Sequence, residues 1–186
     1  MYFNSSGPEL TAETSKIAIR EAKERNINFI LAASNTGDTI FKLLDEAKKQ
    51  DYKGKFICIP HVYGFRENGK NELSDENRKK LEDQGVIICI AAHTLSGSER
   101  GLSRKFQGTY PVEIIAHTLR MFGQGTKVCV EIAAMALDAG YIPWGENIIA
   151  LGGSGRGADT AIILTPSYSH GILDTRIHEI LCKPRL

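Results

Sequence analysis

No surplus of either charge marks this chain: 23 Lys and Arg stand against 22 Asp and Glu, a net charge of +1. A broad basic face for nucleic acid or an anionic membrane is therefore not expected. Long hydrophobic runs are missing too. Val86 to Ala92 is among the longest, far short of the ~20 residues that cross a bilayer as a helix. Cysteine is scarce and scattered: Cys58, Cys89, Cys129 and Cys182 show no C-x-x-C spacing, and three of them lie in apolar, strand-like runs. They read as buried reduced thiols. No His/Cys/Asp group has ligand spacing, so no metal is expected. A charged-then-apolar leader pattern is also absent, and the expectation is a cytoplasmic protein.

What is present is an ordinary globular composition, 42% hydrophobic over 186 residues, read as a single domain over residues 1–186. Apolar strand patterns alternate with helical ones. Thr11 reads as the cap of a helix running to about Asn26, followed by strand Phe29–Ala33, a helix from Thr39 to Gln50, and strand Lys55–Pro60. Ser74 caps a charged helix that Gly85 ends, before strand Val86–Ile90. His93 to Gly108 shows no apolar period and reads as a long loop. Two helices follow, Thr109–Phe122 and Thr126–Ala139, then strands Asn147–Leu151, Thr160–Thr165 and Ile177–Cys182. Apolar strands between helices predict an α/β fold, a three-layer α/β/α sandwich with a mostly parallel sheet. The last three strands lack intervening helices, so an antiparallel strand at an edge is expected.

Ligands of such sheets bind beyond the carboxyl ends of the strands. Three polar segments belong there. Ser34-Asn35-Thr36-Gly37-Asp38-Thr39 lies where a buried strand hands over to a helix, so its hydroxyls and amides suit a phosphate, although a plain helix cap explains the same residues. Gly152-Gly153-Ser154-Gly155-Arg156-Gly157 packs four glycines around an arginine; a hairpin turn accounts for the glycines but not for the arginine among them. It leads into a strand, which excludes the dinucleotide fingerprint and the nucleophile elbow. The segment His93 to Lys105 concentrates Arg100, Arg104 and Lys105; if coiled, Arg100 and Arg104 share a face that clamps an anion, and otherwise it is a solvated basic loop. His61 and His93 directly follow strands and are the weak candidates for proton transfer. Glu131 is expected to face solvent or a neighbouring side chain.

Ser34 to Thr39 fits the [S/T]-x-T-G-x-T phosphate loop of flavodoxins and is similar to the S/T-x-S-G-x-[S/T] effector-phosphate loop of the pyruvate kinase C-terminal domain. Ile148-Ile149-Ala150-Leu151-Gly152 through Gly157-Ala158-Asp159-Thr160-Ala161-Ile162 resembles the glycine-rich ending of that same domain, with Asp159 in place of its usual Asn. The similarity runs from about Thr11 to Thr165 and extends to small stand-alone archaeal proteins that look like the detached domain, whose central loop His93 to Lys105 resembles. Nothing corresponds to the catalytic barrel of a pyruvate kinase.

The resemblance implies a ligand site rather than phosphotransfer, with FMN as the cofactor. Ser34, Asn35, Thr36, Gly37, Asp38 and Thr39 would hold its phosphate, and Gly153, Ser154, Gly155, Arg156 and Gly157 would close the other end. Arg100 or Arg104 would offset negative charge, and Tyr63 and Phe65 would stack on the ring. The competing expectation is a non-catalytic module for a sugar phosphate or nucleotide. Ester hydrolysis through His93 is a third. A phosphorylated small molecule is the expected partner, and a homo-oligomer is compatible with the sequence.

Overall fold

The computed structural model describes residues 1–185. Its strands are β1 (Tyr2–Phe3), β2 (Phe29–Ala33), β3 (Lys55–Ile59), β4 (Ile87–Ile88), β5 (Ile148–Gly152), β6 (Thr160–Thr165) and β7 (Arg176–Pro184). The α-helices are α1 (Thr11–Glu24), α2 (Asp38–Lys49), α3 (Asp75–Glu82), α4 (Gly97–Phe106), α5 (Pro111–Arg120) and α6 (Gln124–Asp138). They build one mixed sheet of order β1-β7-β6-β5-β2-β3-β4. This is the expected three-layer α/β/α arrangement.

Alternation along the strands makes two cores. Ile30 and Ala32 face one side, with Ile17, Ala18 and Ala22 of α1, Ile40, Leu43 and Leu44 of α2, and Leu81 of α3. Phe29 and Leu31 face the other, with Ala116 of α5 and Cys129, Ile132, Ala133 and Ala136 of α6. Strands buried on both faces are apolar throughout for this reason.

Several boundaries differ from the sequence expectation. Thr11 does not cap α1; Leu10 occupies that position after a 3-10 turn, Pro8–Leu10. The Thr11 hydroxyl instead donates to the Pro8 carbonyl (2.8 Å) and accepts from the Ala158 amide (3.1 Å), tying the start of α1 to the glycine-rich turn. The antiparallel strand is β6, inside the sheet between β5 and β7, because β7 and the unanticipated β1 continue beyond it. The segment from His93 to Gly108 is not a loop throughout: Gly97–Phe106 is helical. No apolar period announces α4 because Ser103 is its one buried residue.

α6 lies unusually close to the sheet. A Cβ on Gly125 would sit 2.1 Å from Thr160 Oγ1, and one on Gly152 would sit 2.6 Å from the Gly125 carbonyl oxygen. Glycine at both positions lets helix backbone approach strand backbone.

No helix among the described residues is long and apolar enough to cross a membrane. All four cysteines are free and buried. Burial pushes the Cys58 thiol up to about 12, and those of Cys89 and Cys182 up to about 11.

Two outcomes follow from this packing. Gly152→Val should lower stability by about 1–3 kcal/mol through overpacking, or more where backbone cannot yield, read as a lower urea midpoint. Thiols that ionise near ~8.5 when unfolded but much later when folded leave stability intact below that pH and erode it as pH rises toward their folded values. Urea titrations in an alkaline series should show this loss, reduced in Cys58→Ala, and iodoacetamide at neutral pH should label the cysteines in urea alone.

Candidate functional site

From β2 the chain proceeds to β3 and β4 on one side, then returns through α4, α5 and α6 to β5 on the other. The boundary between β2 and β5 is therefore the switch point at which open α/β sheets take their ligands. A cleft of about 490 Å³ lies over it, within the ~300–1,000 Å³ typical of small-molecule sites. Its walls are the turns after β2, β3 and β5, the segment after β4, and one side of α6.

The turn after β2 divides its work. Ser34, Asn35, Thr36, Asp38 and Thr39 line the cleft. The buried Ser34 hydroxyl accepts the Thr39 amide (3.2 Å), while the Ser34 amide donates to the Ile59 carbonyl (3.1 Å). The amides of Asn35, Thr36, Gly37 and Asp38 have no acceptor among the described residues. They are the unpaired donors of a strand-to-helix turn. Gly37 departs from its expected role, since it does not line the cleft. It holds φ +96°, and a Cβ there would meet Phe41, Leu81 and Leu73 at 3.1–3.5 Å. Its lack of a side chain serves the turn and the packing behind it.

The glycine-rich turn contributes Gly153, Gly155, Arg156 and Gly157. Ser154 stands outside the lining; its amide donates to Asp159 Oδ2 (3.2 Å), and Asp159 Oδ1 accepts the Thr160 hydroxyl (2.8 Å). A buried carboxylate thus folds the turn back on itself. Gly157 packs against Pro8 and Thr11, where a Cβ would come within 2.5 Å of both.

His61 and His93 both line the cleft, with ring centroids 5.5 Å apart. His61 Nδ1 pairs with Glu72 Oε2 (2.6 Å), and Asn35 bridges to it twice, through its Oδ1 to the His61 amide (3.1 Å) and its Nδ2 to Nε2 (3.4 Å). That pattern fits an Nδ1 proton shared with Glu72 and an Nε2 lone pair facing Asn35. Phe65 stacks on His61 at 3.7 Å, lies 5.4 Å from the His93 ring and is partly exposed; Tyr63 lies outside the cleft lining. The His93 ring has no hydrogen-bond partner among the described residues. Burial holds its imidazole below the usual histidine value, with Glu131 opposing and His61, Lys127 and Arg100 reinforcing.

Arg66, Arg100, Arg120, Lys127 and Arg156 stand against Asp38, Glu72 and Glu131 in the lining. Arg104 is exposed outside it, one turn beyond Arg100 on α4. Arg66 approaches Glu72 (3.5 Å), and Arg120 Nε donates to Gln124 Oε1 (2.8 Å). Arg100 and Arg156 have no carboxylate partner among the described residues. Glu131 does not face open solvent. It is 5% exposed, pairs with the buried Lys127 one helical turn away, and accepts the Leu95 amide through Oε1 (3.0 Å). Burial lowers the Lys127 ammonium below its usual value, which Glu131 opposes and Arg120 and Arg100 reinforce.

Lys127, Arg120, Gln124 and Glu72 were not anticipated from the sequence. For the first, a signal existed: Lys127 and Glu131 are charged residues at i,i+4 inside the otherwise apolar run of α6. Glu72 offers no local pattern. No group of three or more potential metal ligands occurs among the described residues.

The fold defines a three-layer α/β/α domain with its polar crevice at the sheet's switch point. The chain belongs to the pyruvate kinase alpha/beta domain family, whose model matches residues 12–164. Among solved structures it is similar to Cryptosporidium parvum pyruvate kinase in complex with ADP, at 15% identity and a TM-score of 0.39, over 90% of this chain and 23% of that one. Another Cryptosporidium parvum pyruvate kinase structure matches at 15% identity and a TM-score of 0.38, over 80% of this chain and 22% of that one. The chain spans less than a quarter of the length of either. It corresponds to the alpha/beta domain and not to a full pyruvate kinase.

Lys127→Met leaves Glu131 buried without its cation and should cost about 3–5 kcal/mol, whereas Lys127→Met with Glu131→Leu should regain most of that loss. Urea denaturation of the three proteins reads the coupling.

Proposed function

We propose that this domain binds a phosphorylated small molecule in the switch-point cleft, and that the ligand is FMN. The observation that carries the reading is the meeting of the amides of Asn35, Thr36 and Asp38, which have no acceptor among the described residues, with Arg156, which has no carboxylate partner among them, across one crevice. A dianionic phosphate takes several amide donors at a helix start and a guanidinium from the side. Preference for FMN rests on the flavodoxin-like spacing of Ser34 to Thr39 and on the partly exposed Phe65 ring, stacked on His61, as an aromatic group within the same cleft. Isoalloxazine chemistry would belong to the flavin. The chain's part is to seat the phosphate, present an apolar face to the ring and set the local charge.

The competing reading, a module for a sugar phosphate or nucleotide, is favoured by the abundance of cations in the lining and needs no ring stacking.

Incubation with FMN followed by desalting should yield a yellow protein with quenched flavin fluorescence. Arg156→Gln should weaken FMN binding on the order of tenfold, the loss of one charge-assisted contact, without moving the urea midpoint. Gly37 is unsuitable as a probe because its substitution strains the turn itself. A colourless protein whose melting temperature rises with sugar phosphates and not with FMN would transfer the site to the competing reading.

A further inference from the structure

His61 is fixed from several sides at once. Its Nδ1 donates to Glu72 Oε2 (2.6 Å), its backbone amide donates to Asn35 Oδ1 (3.1 Å), and its carbonyl accepts the Asn71 side chain (2.7 Å). Phe65 stacks on the ring at 3.7 Å, and the His93 ring lies 5.5 Å away. Arg66 approaches the other oxygen of Glu72 (3.5 Å). What remains is Nε2, whose one hydrogen-bond neighbour among the described residues is Asn35 Nδ2 at 3.4 Å, the long limit of such a contact.

With the Nδ1 proton shared with Glu72, Nε2 carries the lone pair. Asn35 determines where that lone pair lies. The residue whose side chain meets Nε2 also opens the run of amides that have no acceptor among the described residues, and His61, Glu72, Asn35 and Arg156 line the one cleft. A nucleophilic nitrogen therefore stands at the rim of the anion seat. Side-chain exposures of 25% for His61 and 27% for Glu72 leave the pair reachable and partly screened from bulk water. A histidine that merely ties the segment before α3 to the end of β3 accounts for the Glu72 contact, but not for a second nitrogen left beside the seat.

We propose that His61 is a phosphoryl acceptor: Nε2 takes the phosphoryl group of a small acyl phosphate seated on the amides of Asn35, Thr36 and Asp38. This rests on the phosphate-seat reading above and is independent of FMN. The N–P bond of a phosphorylated imidazole is itself energy-rich, so a phosphomonoester such as FMN is too weak a donor, whereas a mixed anhydride suffices. The Nε2 lone pair forms the N–P bond, the P–O bond to the acyl group breaks, and the carboxylate leaves with that electron pair. No proton has to move, since Nδ1 keeps its hydrogen and Glu72 offsets the positive charge that the ring gains. The seat amides and Arg156 offset charge on the phosphoryl oxygens during the transfer. His61 is the nucleophile. Glu72 is a positioning residue that fixes the tautomer and the ring plane.

Radiolabelled acetyl phosphate tests this directly. On the folded protein it should leave acid-labile, alkali-stable label at one of the five histidines, located at His61 by peptide mass spectrometry. His61→Asn should abolish the label, and Glu72→Gln should slow its appearance on the order of tenfold or more, with Glu72→Asp regaining part of the rate. Urea midpoints of the variants separate a slower transfer from a weakened fold. Excess inorganic phosphate should protect His61, because it takes the same amides. Absence of label on the folded wild-type protein, or label spread over the histidines in folded and urea-unfolded protein alike, overturns the acceptor. If FMN or inorganic phosphate still raises the melting temperature of such a protein, the phosphate seat stands without it; if neither does, both readings fall.

Discussion

The close approach of α6 to the sheet governs the rest of the site. With Gly125 under Thr160 and Gly152 under the Gly125 carbonyl, the helix lies lower on β5 and β6 than side chains would allow. That contact brings the first two turns of α6 to the rim of the crevice. Gln124, Lys127, Val128 and Glu131 thereby become wall residues. A helix standing one side-chain layer further out would widen the crevice and return Lys127 and Glu131 toward water. The spacing between backbones, rather than any single polar contact, decides whether the cleft has a charged wall.

The seat after β2 shows how one short segment meets two demands. Ser34 spends its hydroxyl on the Thr39 amide and its own amide on Ile59, which locks the turn to the neighbouring strand. Asn35 spends its side chain on His61, and Asn77 reaches the Thr36 carbonyl (2.9 Å). The Ser34 and Asn35 side chains and the Thr36 carbonyl are thus used internally, while the amides from Asn35 to Asp38 have no acceptor among the described residues. The turn is thus ordered by its own internal contacts, which leaves little conformational entropy to lose there.

Much of this was legible in the residues. Apolar strands alternating with helices announced a covered parallel sheet, and the position of Ser34 to Thr39 between Phe29–Ala33 and the Ile40/Leu43/Leu44 stripe located the principal turn. What escaped was whatever lacks a period or depends on distant partners. α4 buries Ser103 and exposes Leu102 and Phe106, so its hydrophobic pattern points away from the protein and could not be recognised as a helix. The two residues of β1 pair with Lys183 and Pro184 at the far end of the chain, a contact without local signature. Glu72 reaches His61 from eleven residues away across a turn. Glycines were recognised as meaningful, but at Gly37 the reason is packing against Leu81 behind the turn, and Gly157 both lines the cleft and packs against Pro8.

The attachment of α4 has a consequence for how the crevice is reached. Its ties to the rest of the molecule are the Leu95 amide on Glu131, the Ser103 hydroxyl on Glu113 (2.7 Å) and the Val112 amide on Glu99 (2.9 Å), with almost no apolar burial beneath it. Beyond Leu95, whose side chain is buried in the second core, a helix secured among the described residues mainly by polar ties detaches at a small fraction of the free energy of global unfolding. The crevice can therefore open by a local excursion of this one helix, with the sheet undisturbed.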